Sequence, residues 1–164
     1  MSARPPLSDD IERLYEEHGR SLMAYACSFV RGPAEGEDII QQLFTRLLRG
    51  DLVIKGPALP YLYRAVRNAA FNSRRSWHRE TALETCVGWL EAPPGMEEAA
   101  LSIERAMGTI PLEQREVVVL HLWGGRTFPE IAEMLEISPN TAASRYRYAV
   151  GKLRDILKPL GDTR

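Results

Sequence analysis

The side chains best suited to chemistry gather on one face of a stretch near the C-terminus, GGRTFPEIAEMLEISPNTAASRYRYAVGKLRDIL, from Gly124 to Leu157. At about 100° per residue along a helix, Asn140, Ser144, Arg147 and Gly151 share one side of the run after Pro139, with Ala143 and Tyr148 beside them and Arg145 on a flank. That face carries no carboxylate. Asn and Arg can make paired hydrogen bonds to base edges, Ser and Tyr can bond phosphate, and Ala and Gly let a helix sit close to a duplex. The chemistry this predicts is recognition of a polyanion. The sequence shows no nucleophile with a base, no metal-ligand spacing and no glycine-rich phosphate loop, so neither an enzyme nor a cofactor or metal is expected.

A second set of such residues lies between Tyr61 and Arg79. Read as a helix, this stretch buries Leu62, Ala65, Val66, Ala69 and Ser73. Its outer face carries Arg64, Arg67, Phe71, Arg75 and His78, with Asn68 and Arg74 adjacent. Arginines that track a backbone, with an aromatic ring among them for stacking, suit single-stranded nucleic acid. The alternative for Phe71 is a ring covered by the segment that follows.

The elements that must position these residues are signalled locally. Thr127 is an N-cap with Glu130 three residues on, which completes a capping box, and Pro129 stands in the first turn, where its missing N–H costs nothing. Ile131, Ala132 and Leu135 make the apolar stripe of this short helix. Ser138 then caps a second helix that opens on Pro139 and turns Ala142, Tyr146, Ala149 and Leu153 inward. Only Leu135, Glu136 and Ile137 separate the two, which is the layout of a helix-turn-helix whose second helix enters the DNA major groove.

Upstream, Ile11, Leu14, Tyr15, Leu22, Tyr25, Ala26 and Phe29 recur at helical spacing between Ile11 and Val30, with Ser8 or Asp9 as a cap and Gly19 as a weak point. A turn at Arg31 to Gly36 leads to a helix from about Glu37 to Leu48, with Ile40, Leu43, Phe44 and Leu47 inward. Glu37, Asp38, Gln41 and Arg46 face out or sit on its flanks, and the two acids suit the helix dipole. Gly50 to Pro60 is a loop, because two glycines and two prolines break the pattern. After Thr81 to Gly95, where Val87, Trp89 and Leu90 are the residues able to dock, helices are expected over Met96 to Gly108 and Glu113 to Trp123. The second of these buries Val117, Leu120 and a hydrogen-bonding His121.

Length and composition allow one medium domain or two small helical ones: 164 residues, 45% hydrophobic, net charge −1. The near-neutral balance conceals segregation. Every charged residue from Tyr61 to Arg79 is basic, whereas Glu80, Glu84, Glu91, Glu97 and Glu98 make the following stretch acidic. Two basic surfaces on an acidic tether can hold DNA at two places while the tether avoids phosphate. No apolar run approaches a membrane span and the first residues lack a signal-peptide core, so a cytoplasmic protein with no membrane insertion is expected. Cys27 and Cys86 are read as reduced thiols without a special role.

On these residues the chain resembles the bacterial sigma-70 family. The stretch from Ile110 to Arg145, containing QREVVVLHLWGGRTFPEIAEMLEISPNTAASR, is similar to promoter-binding region four. GEDIIQQLFTRLL from Gly36 and PYLYRAVRNAAFNSRR from Pro60 are similar to region two. Both in order, joined by a short linker, resemble the compact extracytoplasmic-function (ECF, group IV) sigma factors. The resemblance implies an all-α fold with region two at 8–80, a linker at 81–95 and region four at 96–160.

It also implies roles. Glu37, Asp38, Gln41, Phe44 and Arg46 match the segment that holds the clamp helices of the largest polymerase subunit. Arg64, Arg67, Asn68, Phe71, Arg74 and Arg75 match the minus-ten helix, and the Gly50 to Pro60 loop sits where the family captures a flipped base. Asn140, Thr141, Ser144, Arg145, Arg147 and Tyr148 fall on the helix that reads the minus-thirty-five element. The partners implied are core RNA polymerase, promoter DNA as duplex and melted strand, and an anti-sigma factor, with a monomer when free. The chain departs from the family at Ala142 and Ala143, where a small hydrophobic residue and then lysine are usual, at Tyr148 for arginine, at Glu136 for glycine and at Gln42 for glutamate. A sigma-like decoy that binds an anti-sigma factor and a stand-alone helix-turn-helix regulator are the alternatives.

Overall fold

The computed structural model describes residues 8–75 and 88–161, with side chains through residue 73 and again over 88–158. Among the described residues there are seven helices and no strand: α1 Ser8–Cys27, α2 Pro33–Arg49, α3 Ala58–Arg75, α4 Glu97–Thr109, α5 Leu112–Leu122, α6 Phe128–Leu135 and α7 Pro139–Gly161. Helices α1, α2 and α3 pack on one another, as do α5, α6 and α7 with α4 laid on α7. The two groups meet where α1 touches α5 and α3 touches α6.

In the first group, Gly19 does not interrupt α1, and Leu22, Tyr25 and Ala26 are buried at 1% exposure or less. The helix ends at Cys27, so Phe29 and Val30 are buried from a turn rather than from a helix. Helix α2 begins earlier than its apolar period indicates. Pro33, expected in a turn, instead opens the helix, where its fixed φ is already helical. Gly36 therefore lies inside α2 against α1. A Cβ there would stand 2.9 Å from Cys27 Sγ, so the close crossing needs glycine. At the other end Gly50 adopts φ 76° and caps α2 in the left-handed conformation, its N–H bonded to the last carbonyls. The loop after it closes at Pro57, since Ala58, Leu59 and Pro60 already form the first turn of α3.

The second group is built around α5. Val117, Val118, Val119 and Leu120 are all buried at 1% or less, so this helix is apolar on more than the one expected side. Such a helix is covered from several directions. Here α7 and α6 cover one side and α1 the other. His121 Nδ1–H donates to the Arg126 carbonyl oxygen at 2.8 Å, and the ring stacks on Phe128 at 4.6 Å. Gly124 lies where the two groups meet: a Cβ on it would stand 2.9 Å from the Tyr63 hydroxyl of α3, as well as 2.6 Å from the Leu120 carbonyl oxygen of its own group.

Candidate nucleic-acid and polymerase interfaces

The helix-turn-helix is assembled by its caps. Thr127 Oγ1 accepts from the Glu130 N–H at 3.3 Å, and Glu130 Oε1 accepts in return from the Thr127 N–H at 3.4 Å. The Thr127 hydroxyl and Arg126 Nη1 also bond Glu130, at 3.0 and 2.9 Å. These contacts, the Thr127 hydrogen bond foremost, hold the Glu130 carboxyl below its usual range. Ser138 Oγ accepts from the Thr141 N–H at 3.0 Å and so starts α7. Between them Glu136 takes φ 56°, ψ 44°, the left-handed residue that ends α6. Ala142 and Ala149 are fully buried, while Asn140, Arg147 and Tyr148 are exposed, Tyr148 at 66%. Thr141, Ser144 and Arg145 are half-buried beside them, and Arg147 Nη2 donates to Ser144 Oγ at 3.3 Å. The described surface thus presents amide, hydroxyl and guanidinium groups along one side of a rigid helix.

The arginine face of α3 is differently disposed from the exposed surface expected. Arg67 Nε donates to Glu116 Oε1 of α5 at 2.6 Å, and the Tyr25 hydroxyl donates to the same oxygen at 2.6 Å. Glu116 is 2% exposed. Burial raises the Tyr25 hydroxyl well above its usual range, and the Glu116 charge adds to the rise. Burial works against the Arg67 charge, but the hydrogen bond and charge of Glu116 outweigh it and hold that guanidinium above its ordinary value. Arg64 Nη2 donates to the Glu133 carbonyl oxygen at 3.0 Å, at the end of α6. Phe71 packs on Phe29 with centroids 5.3 Å apart, and Arg67 Cζ lies 4.6 Å over its ring. Phe71 is therefore a half-buried ring covered by the α1–α2 turn and Arg67, not a bare stacking platform, which corrects the outward placement. Asn68 is exposed. The side chains of Arg74 and Arg75, and all of His78, lie outside the described residues.

On α2, Glu37, Asp38, Gln41 and Arg46 are exposed, all on the side away from the core. Phe44 is 5% exposed and meets Tyr15 edge-on at 5.1 Å, so it lies under that face rather than on it. Beside it, Tyr15 and Leu48 expose half their surface and flank a groove of ≈ 460 Å³ with Gln41. Tyr15 and Leu48 thus leave apolar surface open beside the polar side of α2.

The comparisons with known proteins settle the family. Residues 14–81 match the model described as Sigma-70 region 2, and residues 100–153 match Sigma-70, region 4. The ECF RNA polymerase sigma factor SigL of Mycobacterium tuberculosis is 31% identical across 92% of this chain and 90% of its own. The chain belongs to the ECF sigma factors. The RNA polymerase sigma factor CarQ of Myxococcus xanthus is 26% identical across 96% of this chain and 94% of its own. Among solved structures, the sigma factor RpoE of Bartonella quintana, in complex with the anti-sigma factor NepR, shares the fold at TM-score 0.75 and 20% identity, over 95% of this chain and 99% of that one.

As an ECF sigma factor, the protein binds core RNA polymerase and promoter DNA in transcription initiation. Glu116 is the residue that the sequence reading missed. It stands in QREVVVLHL beside a run of three valines, and that run is the available signal, because a helix apolar all round buries its polar neighbours too.

Proposed function

We propose that this sigma factor uses three of its surfaces in sequence. The exposed side of α2, with Glu37, Asp38, Gln41 and Arg46 over the Phe44 ring, docks on the clamp helices of the polymerase largest subunit. Helix α7 then reads the minus-thirty-five element through Asn140, Thr141, Ser144, Arg145, Arg147 and Tyr148. Arg64, Arg67, Asn68, Phe71, Arg74 and Arg75 engage the minus-ten element, and the 50–60 loop holds a base flipped from the non-template strand. The division into 8–80, 81–95 and 96–160 follows these tasks.

The observation that carries the reading is the exposed face of α7 over residues 140–151, which carries no carboxylate, behind two capped helix starts. Melting needs no covalent catalysis, since unstacking costs a few kcal/mol and is offset by stacking and phosphate contacts. A factor that works on a promoter acts in the cytoplasm, and an anti-sigma factor is the expected regulator. The test is a pair of variants. Asp38→Ala lowers affinity for core polymerase while free-strand binding by the assembled complex persists. Arg75→Ala leaves core affinity near wild type and impairs promoter opening. Equal loss of both properties in both variants contradicts the division of labour.

A further inference from the structure

The C-terminal helical group holds more of the chain than its helices. Glu104 of α4 is 2% exposed, and its two carboxylate oxygens accept from the backbone of the segment before the helix, Oε2 from the Gly88 N–H and Oε1 from the Leu90 N–H, each at 2.8 Å. Between those residues Trp89 meets Trp123, which follows α5, edge-on at 5.1 Å between centroids. Gly88 stands at φ 86°, where a side chain would be strained. The Pro93 carbonyl oxygen then accepts from the Met96 N–H at 3.0 Å in a turn that leads into α4. A buried carboxylate is tolerated where donors take up its oxygens, and hydrogen bonds to a charged acceptor are the stronger kind. The segment from Gly88 to Met96 is therefore held as part of the C-terminal group. Its ion pair with the other group, Glu91 to Arg20 of α1 at 3.2 Å, joins side chains 73% and 88% exposed and adds little.

Where this segment is held decides how far apart two surfaces on either side of it can stand. Helix α3 ends at Arg75 and the clasp begins at Gly88, which leaves the twelve residues 76–87 between them. Twelve residues span at most about 40 Å, at roughly 3.3 Å each. Measured instead to the start of α4 at Glu97, the span is twenty-one residues, and the limit is about 70 Å. Along B-form DNA, at about 3.4 Å per base pair, the difference amounts to roughly nine base pairs. Each base pair added between two elements also turns one against the other by about 34°, so the tether must reach around the duplex as well as along it. We propose that Glu104 sets the spacing of the promoter elements: by clasping Gly88 and Leu90 it fixes the free length between α3 and α7 and limits how far apart the minus-ten and minus-thirty-five elements can lie. The inference rests on the reading of α3 and α7 as the surfaces for those elements. Glu104 touches neither DNA nor polymerase in that reading and acts as a positioning residue, through the segment it holds. The clasp is made by α4 and the end of α5, so it persists when α3 and α7 stand apart on DNA.

The test is transcription by the full chain with core polymerase on one promoter recovered from genomic fragments, rebuilt as a series in which the spacing of the two elements changes one base pair at a time. Two variants are compared with the wild type. Glu104→Gln keeps the side-chain size and replaces one acceptor oxygen with an amide that faces an N–H. A four-residue Gly-Ser insertion after Glu80 lengthens the tether and leaves the clasp intact. Beyond a tether's reach the effective concentration of the second surface falls toward zero, so wild-type output should drop about tenfold within two base pairs of lengthening. Both variants should move that drop outward by about two to four base pairs, with output at the optimum near wild type. A role in stability alone would lower the melting temperature and leave the spacing profile unchanged. Amide exchange at Gly88 and Leu90 should speed about tenfold in Glu104→Gln, and unchanged exchange overturns the clasp. Trp89→Ala breaks the aromatic half of the clasp and takes the place of Glu104→Gln if that variant does not fold. A profile moved by one variant and not the other overturns the proposal, as does a wild-type optimum that neither moves. A wild-type profile indifferent to spacing shows instead that α3 and α7 do not read two elements, and the proposal falls with that reading.

Discussion

Arg67 of α3 and Glu116 of α5, 49 residues apart in sequence, meet at 2.6 Å between the two helical groups of the molecule. One partner is almost fully buried and the other keeps a third of its side chain in solvent, at 2% and 36% exposure. Breaking a buried pair by removing one partner costs about 3–5 kcal/mol. Solvent around Arg67 lowers that cost, and separation of the groups limits it further by letting Glu116 reach water. Arg67→Ala is therefore expected to lower stability by about 2 kcal/mol and to split calorimetric melting into two transitions, one for each helical group. A single transition at the wild-type temperature would show that the pair contributes nothing to the joint.

Glu136 ends α6 at φ 56°, the sole non-glycine residue of positive φ among those described. A side chain there costs about 1 kcal/mol relative to glycine. Glu136→Gly should raise the melting temperature by about 2–4 °C in a chain of this size. A lower melting temperature would mean that the Glu136 side chain makes compensating contacts in solution.

The capping box has a pH signature. The Glu130 carboxyl is held below its usual range by Thr127 first and by Arg126 as well. A depressed folded value means that the stabilisation is fully present above the unfolded carboxyl's range and is lost as pH falls through the folded one. Thr127→Ala should cost about 1 kcal/mol at neutral pH. The difference between Thr127→Ala and wild type should shrink in acid melts. A difference that grows on acidification contradicts the assignment.

On α7 the recognition helix lacks a positive charge at Ala143, which is half-buried beside the exposed Asn140 and Arg147. Ala143→Lys adds a phosphate contact. Binding to a promoter fragment should strengthen about equally across sequences, and the slope of log affinity against log salt should steepen by about 1. An unchanged slope would place residue 143 away from the backbone.

The parts of the fold legible in sequence are those set by neighbouring residues. Thr127 with Glu130, and Ser138 with Pro139, fix the starts of α6 and α7 because the capping groups lie within three residues of what they cap. Pro33 misled because the same residue that breaks a helix interior is preferred at its first position, and only the packing of Gly36 on Cys27 reveals which applies. The arginine face of α3 was legible as a set of residues but not as an engaged surface. Its partner Glu116 is buried by Tyr25, 91 residues away, and no local pattern encodes that meeting. Phe71 is outward by helical period, yet Phe29 reaches it from the turn after α1.

Run-off transcription shows whether the chain starts transcription. Purified protein is added to sigma-free bacterial core polymerase with genomic fragments as template. Discrete new transcripts, lost with Arg67→Ala although that variant still binds core, are the predicted result. Stable binding to core with no transcript from any fragment would contradict it and favour a sigma-like decoy.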